Sequence, residues 1–284
     1  MTHWTTLIDA ATLAAHLGRP GWVVLDCRFD LARPDWGAAQ YAAGHLPGAR
    51  YAHLDRDLSG PVGPATGRHP LPAPEQFAAR ARAWGIGADS QVVVHDQGNG
   101  MYAARAWWLL RWVGHGRVAL LDGGLAAWTE AGLPVTTDVP DIAPVAFDAR
   151  PDGTRVVDAS VLQGALAAGA AQLSDARGAD RYAGQNETID PVAGHVPGAV
   201  NHPFMRNLDA RGRFLPPEEL RSRWLATLAG RDPQQHIAMC GSGVSACHNL
   251  LALEHAGLTG SRLYAGSWSE WIRDSSRPVA TGPA

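Results

Sequence analysis

The heptapeptide Ala43-Gly44-His45-Leu46-Pro47-Gly48-Ala49 returns 150 residues later as Ala193-Gly194-His195-Val196-Pro197-Gly198-Ala199. Two further matches keep nearly the same separation. Val23-Val24-Leu25-Asp26-Cys27-Arg28 is answered by Gln172-Leu173-Ser174-Asp175-Ala176-Arg177, with the aspartates 149 residues apart. Leu121-Asp122-Gly123-Gly124-Leu125-Ala126-Ala127-Trp128 is answered by Tyr264-Ala265-Gly266-Ser267-Trp268-Ser269-Glu270-Trp271, with the tryptophans 143 apart. Ordered matches at so long a period mean one domain duplicated in tandem, since solenoid repeats recur every ~20–50 residues. A chain of 284 residues has room for two such cores of about 140 residues each.

Within each half, short apolar runs alternate with helical stretches. Gln91-Val92-Val93-Val94-His95 and His236-Ile237-Ala238-Met239 read as buried parallel strands bounded by Gly-rich turns. Tyr102 to Val113 and Ala246 to Ala256 read as the helices that follow them, the latter stopped by Gly257. Strand–loop–helix–strand order predicts an α/β fold in which each domain has a central, mostly parallel sheet flanked by helices. Thr136 to Gly153 holds Pro140, Pro144 and Pro151 without helical periodicity and reads as the connection. The division expected is 1–138, a linker at 139–153, and 154–284. Ser59 to Pro74 is a Pro/Gly-rich loop of the first half; loops this long are usually functional or mobile.

Composition removes several functions. All 24 Lys+Arg residues are Arg, so neither a lysine Schiff base nor a Walker-type phosphate loop is available. A net charge of −3 gives no basic footprint for nucleic acid. No apolar run reaches the ~18 residues of a membrane span, and no leader pattern opens the chain; the expectation is a cytoplasmic protein without nucleic-acid or membrane partners. Cys27, Cys240 and Cys247 are too few and too scattered for a disulfide framework. Cys240, Cys247 and His248 lack the close ligand pairs of a structural zinc site, so no metal is expected.

Met239-Cys240-Gly241-Ser242-Gly243-Val244-Ser245-Ala246 carries the chemistry. It lies between a buried strand and a helix, at the carboxyl end of a strand, where open α/β sheets bind ligands. Two glycines let the backbone curl and aim several N–H groups at one point, a nest that favours an anion such as the Cys240 thiolate. For an arbitrary cysteine, packing under a turn is the commoner role; this setting favours function. A cysteine phosphatase would need C-x5-R, but Ala246 takes the Arg position and a phosphate dianion would lose its two-point partner. The neighbourhood typical of papain-like proteases is absent. Sulfur transfer requires only a nucleophilic Cys, an amide cradle and a means of orienting the donor.

The matching loop of the first half, Val94-His95-Asp96-Gln97-Gly98-Asn99-Gly100-Met101-Tyr102-Ala103, contains G-x-G-x-x-A, with Asp122 lying 24 residues beyond Gly98. Pattern alone permits a dinucleotide site. The repeat argues otherwise, since Asp96 falls where the second half has Cys240, making this a degenerate copy of the same loop.

The tandem halves, both G-H-x-P-G-A motifs, the C-G-S-G-V-S loop and the ending G-S-W-S-E-W resemble the two-domain rhodanese family over nearly the whole chain. Within that family the loop looks like that of the 3-mercaptopyruvate sulfurtransferases; the thiosulfate enzymes typically carry C-R-K-G-V-T. The resemblance implies two tandem rhodanese-like domains, with the first copy inactive, Cys240 as persulfide carrier and no cofactor. It implies donor binding by Arg181 and by the loop residues Gly241, Gly243, Val244 and Ser245. It also implies a relay of Ser242 with His69 and Asp55. The partners implied are a small-molecule sulfur donor and a thiol acceptor, such as thioredoxin or a low-molecular-weight thiol, or cyanide. A neutral Gly241-Ser242 pair suits a carboxylate-bearing donor better than dianionic thiosulfate, and a guanidinium at Arg181 suits two-point clamping of a carboxylate. A sulfur carrier or interaction scaffold without turnover is the more distant alternative. Two positions depart from the family pattern: Asp190 stands where many mercaptopyruvate enzymes have a second Arg, and Ser245 where Thr is usual. His45 and His195 are expected to satisfy turn backbone groups. Trp107, Trp108, Trp128 and Trp271 are expected in packing.

Overall fold

Each half of the repeat builds the same five-stranded, all-parallel sheet. In the computed structural model, which describes residues 3–283, the first half runs β1 (Leu7–Ile8), α1 (Ala10–His16), β2 (Trp22–Asp26), α2 (Trp36–Ala43), β3 (Arg50–Tyr51), α3 (Pro74–Ala83), β4 (Gln91–His95), α4 (Ala103–Trp112), β5 (Val118–Leu121) and α5 (Gly124–Glu130). The second runs β6 (Val156–Val157), α6 (Ala159–Ala167), β7 (Gln172–Asp175), α7 (Ala179–Tyr182), β8 (Val200–Asn201), α8 (Pro217–Leu228), β9 (His236–Met239), α9 (Ser245–His255), β10 (Arg262–Tyr264) and α10 (Ser267–Trp271). The strand orders are β1-β5-β4-β2-β3 and β6-β10-β9-β7-β8. The α/β reading holds, and the helices expected from Tyr102 and Ala246 form within one residue of the expected ends.

The central strands β4 and β9 are buried at every residue, as continuous apolar runs covered on both sheet faces should be. The repeat extends to side chains. Asp26 accepts from the Arg28 guanidinium, whose Nη2 also donates to Gly44 O at 2.8 Å; Asp175, Arg177 and Gly194 O repeat this arrangement at the same 2.8 Å. His45 Nδ1 bonds Tyr41 O and its ring stacks on Tyr41; His195 does the same with Tyr182. Both histidines thus serve the turn backbone, as expected. Trp128 and Trp271 each donate an indole N–H to a proline carbonyl, Pro134 and Pro278, and with Trp107 and Trp108 they are buried in packing.

Contacts divide the described chain into two compact units that do not follow sequence order throughout. The first comprises the residues up to Gly60, Pro72–Asp152 and Ala210–Phe214; the second comprises Pro61–Leu71, Gly153–Asp209 and the residues from Leu215 on. Residues 139–152 are irregular and lie along the first unit, where Val145 N donates to Arg82 O and Arg150 N to Val113 O. The segment 61–71, read in sequence as part of a first-half loop, belongs to the second unit and brings Arg68 and His69 there. No helix among the described residues is long and apolar enough to cross a membrane.

Candidate active site

Cys240 directly follows β9, and the loop it opens curls back on its sulfur. Gly243 N donates to Cys240 Sγ at 3.1 Å, while Cys240 N donates to Ser267 Oγ at 3.1 Å. The curl requires glycine at 243, where φ is +80° and an added Cβ would fall well inside contact distance of Ala265 O and 3.1 Å from Ala265 C. The G-S-W-S-E-W motif clamps the loop from the other side: Trp268 N donates to Cys240 O and Ser269 N to Gly241 O, both at 2.9 Å. Ser267 adopts a left-handed conformation, φ +54°, where the first copy has Gly124 at φ +55°. Such a conformation costs a non-glycine residue about 1–2 kcal/mol, and here it places the hydroxyl on the amide of Cys240. Val244 precedes α9, so Ser245 and Ala246 begin an eleven-residue helix whose N-terminus faces the loop.

The second unit's sheet supplies half of the site; the segment 61–71 supplies the rest. Arg68 N donates to Ser269 Oγ at 3.0 Å, and Arg273 Nε donates to Thr66 O at 3.4 Å. Gly67 permits this docking, because a Cβ there would lie 2.5 Å from Gly266 O and 2.8 Å from Ser269 Oγ. The result is a buried hydrogen bond of 2.8 Å between His69 Nδ1 and Ser242 Oγ.

Beside the loop stands a cluster of guanidiniums and carboxylates. Arg177 is held by Asp175 and stacks over the Trp268 ring at 4.9 Å. Burial disfavours its charge, but Asp175, Glu187 and Cys240 outweigh that and raise its pKa. Arg181 Nε and Nη2 grip Glu187 side-on at 2.9–3.2 Å, and Nη2 also reaches Asp190 at 3.1 Å. Arg68 pairs with the other oxygen of Asp190. A Cβ built on Gly241 would lie 3.0 Å from Arg68 Nη2 and 3.8 Å from Arg181 Nη1, so both cations stand against the residue after Cys240.

In the first copy Asp96 occupies the position of Cys240, and its carboxylate fills the nest. It accepts from Gly98 N at 2.9 Å and from Gly100 N and Tyr102 N at 3.0 Å. The amides that a dinucleotide phosphate would use are therefore taken by the chain itself, and Asp122, the ribose-binding candidate, accepts from Phe214 N at 2.9 Å. Burial, aided by Asp26, Asp96 and Asp57, pushes the Cys27 thiol far above its ordinary value, which leaves it inert. Cys247 donates to Gly243 O at 3.3 Å, and all three cysteines are free.

The structure brings together Cys240, Gly241, Ser242, Gly243, Val244 and Ser245 in the loop, with His69 on Ser242 and Arg181 beside Gly241. Asp55 is exposed in the first unit, after β3, where its N–H donates to His53 Nδ1 at 3.1 Å. Sequence reasoning missed Arg68, Glu187 and Ser267. Ser267 had a signal, being a serine matched to a glycine in the aligned repeat; Arg68 and Glu187 had none.

A family model described as the rhodanese-like domain matches residues 9–131 and 158–274. A probable 3-mercaptopyruvate sulfurtransferase of Pseudomonas aeruginosa is 54% identical over 278 residues, 97% of this chain and 98% of the relative. A putative thiosulfate sulfurtransferase, SseB, of Mycobacterium tuberculosis is 40% identical over 98% of both chains. Among solved structures, SseA from Escherichia coli, described as a 3-mercaptopyruvate sulfotransferase, superposes with a TM-score of 0.82 at 34% identity, covering 95% of this chain and all of that one.

Proposed function

The chain belongs to the rhodanese family, and on that premise we propose that it is a sulfurtransferase carrying sulfur on Cys240, with 3-mercaptopyruvate as donor and pyruvate as product. The Cys240 thiolate attacks the donor's sulfur; the new S–S bond forms as the donor's C–S bond breaks, and the electron pair leaves on the pyruvate enolate. Ser242, hydrogen-bonded to His69, protonates that enolate, which is general-acid work of a kind worth about 10²–10⁴-fold. The amide of Gly243 and the N-terminus of α9 favour the anionic sulfur before attack and the persulfide after it. An acceptor thiolate, from thioredoxin or a low-molecular-weight thiol, or cyanide then takes the outer sulfur and frees Cys240.

The observation that carries this reading is Cys240 Sγ within 3.1 Å of a loop amide, two residues before the Ser242 of a buried Ser242–His69 pair. Donor identity is supported by the neutral Gly241-Ser242 pair and by the relative of Pseudomonas aeruginosa named for mercaptopyruvate. Thiosulfate is the second reading, favoured by the guanidiniums beside Gly241 and by the relative from Mycobacterium tuberculosis named for that donor. Arg181 and the loop from Gly241 to Ser245 bind the donor, and Asp55 is the third member of the relay. The domains are 1–138, inactive because Asp96 cannot carry sulfur, and 154–284, joined by 139–153. Three free thiols suit the reducing cytoplasm.

Initial rates with mercaptopyruvate and thiosulfate side by side, with Cys240→Ser as control, test the proposal. A mercaptopyruvate preference lost in Cys240→Ser supports it. A thiosulfate preference moves the donor assignment to the second reading, and silence with both leaves only a carrier or scaffold. Asp55→Asn should slow mercaptopyruvate turnover no further once His69 has been replaced.

A further inference from the structure

The two acids beside the nucleophile loop are held very differently. Glu187 is pinned: besides Arg181, it accepts from Ile189 N at 2.9 Å and Asp190 N at 3.0 Å. Burial works to raise its pKa, but Arg181 and these amides prevail and lower it. The side chain of Asp190 has only guanidinium partners among the described residues, Arg68 on one oxygen and Arg181 on the other. Burial raises its pKa, with Arg68 and Arg181 offsetting this only in part and Glu187 adding to the rise. Arg177 is neutralised by Asp175, a pair repeated as Arg28–Asp26 in the first unit and so part of the fold, and its Nη1 lies 3.6 Å from Glu187, which holds that acid further. That leaves Arg68 and Arg181 against Glu187 and Asp190, a balanced set.

A carboxylate is thus already seated between two guanidiniums next to Gly241, and it is the chain's own. An incoming carboxylate would put a third anion on two cations unless one acid withdrew. Asp190 is the acid free to withdraw, since no backbone amide holds its side chain and an incoming carboxylate would take its place on the two guanidiniums. We propose that Arg68 and Arg181 form a carboxylate-binding site whose resident occupant is Asp190, and that the donor's carboxylate binds by displacing it. The inference rests on the sulfur-transfer reading and deepens it: Arg68, carried in by the segment 61–71, becomes a donor-binding residue, and Asp190 sets how tightly the donor binds.

Pyruvate, a carboxylate with no sulfur to give, is the probe, titrated into the full-length protein and followed calorimetrically. Asp190→Asn should tighten pyruvate binding about tenfold, the factor expected where the resident side chain leaves the site open about a tenth of the time. Asp190→Ala should act in the same direction, and Arg68→Ala should weaken binding about tenfold or more. In turnover, Asp190→Asn should lower KM for mercaptopyruvate with kcat little changed. Weaker or unaltered pyruvate binding in Asp190→Asn would mean that Asp190 positions the arginines and does not compete, and would overturn the proposal. So would unaltered binding in Arg68→Ala. A structure of the unmutated protein with pyruvate gives a variant-free reading: Asp190 still bridging both guanidiniums refutes displacement, and Asp190 swung off them supports it. Failure of the sulfur-transfer reading would appear separately, as no persulfide on Cys240 with any donor.

Discussion

Replacing Gly243 by alanine should damage the site far more than replacing Gly241 two residues earlier. At Gly243 φ is +80°, so alanine meets a left-handed penalty of about 1–2 kcal/mol. Its Cβ would also fall inside the contact distance of the Ala265 carbonyl. That oxygen is backbone, on the segment joining β10 to α10, and cannot rotate aside; forced displacements of this kind cost about 1–3 kcal/mol. Alanine recovers roughly 0.4–1 kcal/mol by restricting the unfolded chain, which leaves a net loss of about 1–4.5 kcal/mol. At Gly241 no positive φ is involved, and the closest atom to an added Cβ is Arg68 Nη2 at 3.0 Å, the far end of a flexible side chain. Gly241→Ala should therefore stay within about 1 kcal/mol of the parent. Urea unfolding at constant slope reads the stability difference. Sulfur transfer provides a second measure: moving the Gly243 amide off Cys240 Sγ removes a hydrogen bond to a charged group, about 1.5–3 kcal/mol, or roughly ten- to a hundredfold in kcat/KM. Equal stability losses at the two positions, or near-parental turnover in Gly243→Ala, would refute the argument that this curl holds the sulfur.

Three further outcomes are expected. Ser242→Ala and His69→Gln should each lower kcat with mercaptopyruvate by about 10²–10⁴-fold, and steady-state rates of the double variant should be no worse than either, because the two act as one unit. Asp96→Ala leaves four amides without their acceptor and should destabilise the first unit by about 2–4 kcal/mol, seen by thermal unfolding, with the Cys240 persulfide yield unchanged. Acid should unfold the protein partly through two buried histidines. Burial, with Arg206 contributing at His202 and His202 at His236, lowers their pKa values to about 4 and about 3. Below the unfolded value of ~6.5 the unfolded chain takes up protons that the fold refuses. Their stabilising effect is thus complete above about pH 6.5 and is lost as pH falls, by about 3 kcal/mol at pH 4 for His236. A urea midpoint that falls from pH 7 to pH 4, and falls less in His236→Gln, is the expected profile; identical profiles would reject it.

Local pattern carried the sequence reading where local pattern is what folds the chain. The sheets follow from apolar runs between Gly-rich turns, and the duplication from motifs that recur because they close the same turns, as the Asp26–Arg28–Gly44 and Asp175–Arg177–Gly194 networks do. Cys240 was legible because a strand, a cysteine and two glycines before a helix are contiguous. His69 and Ser242 came from resemblance, and no local signal links residues 173 positions apart.

What the sequence by itself determined, then, is the doubled α/β architecture, the Cys240 loop and its cradle, and the aspartate that takes the place of that cysteine in the first copy, because each depends on neighbours within a few residues. Tertiary structure alone decided that the segment 61–71 joins the second unit, that Arg68 meets Asp190 across 122 residues of chain, and that Glu187 is fixed where Asp190 is not. Ion pairs and buried hydrogen bonds form wherever the backbone brings distant groups within about 3 Å, and that approach depends on how segments dock. Gly67 shows the reason at a single residue: it reads as one more loop glycine, yet a Cβ there would lie 2.5 Å from Gly266 O and would push Arg68 and His69 away from the site they complete.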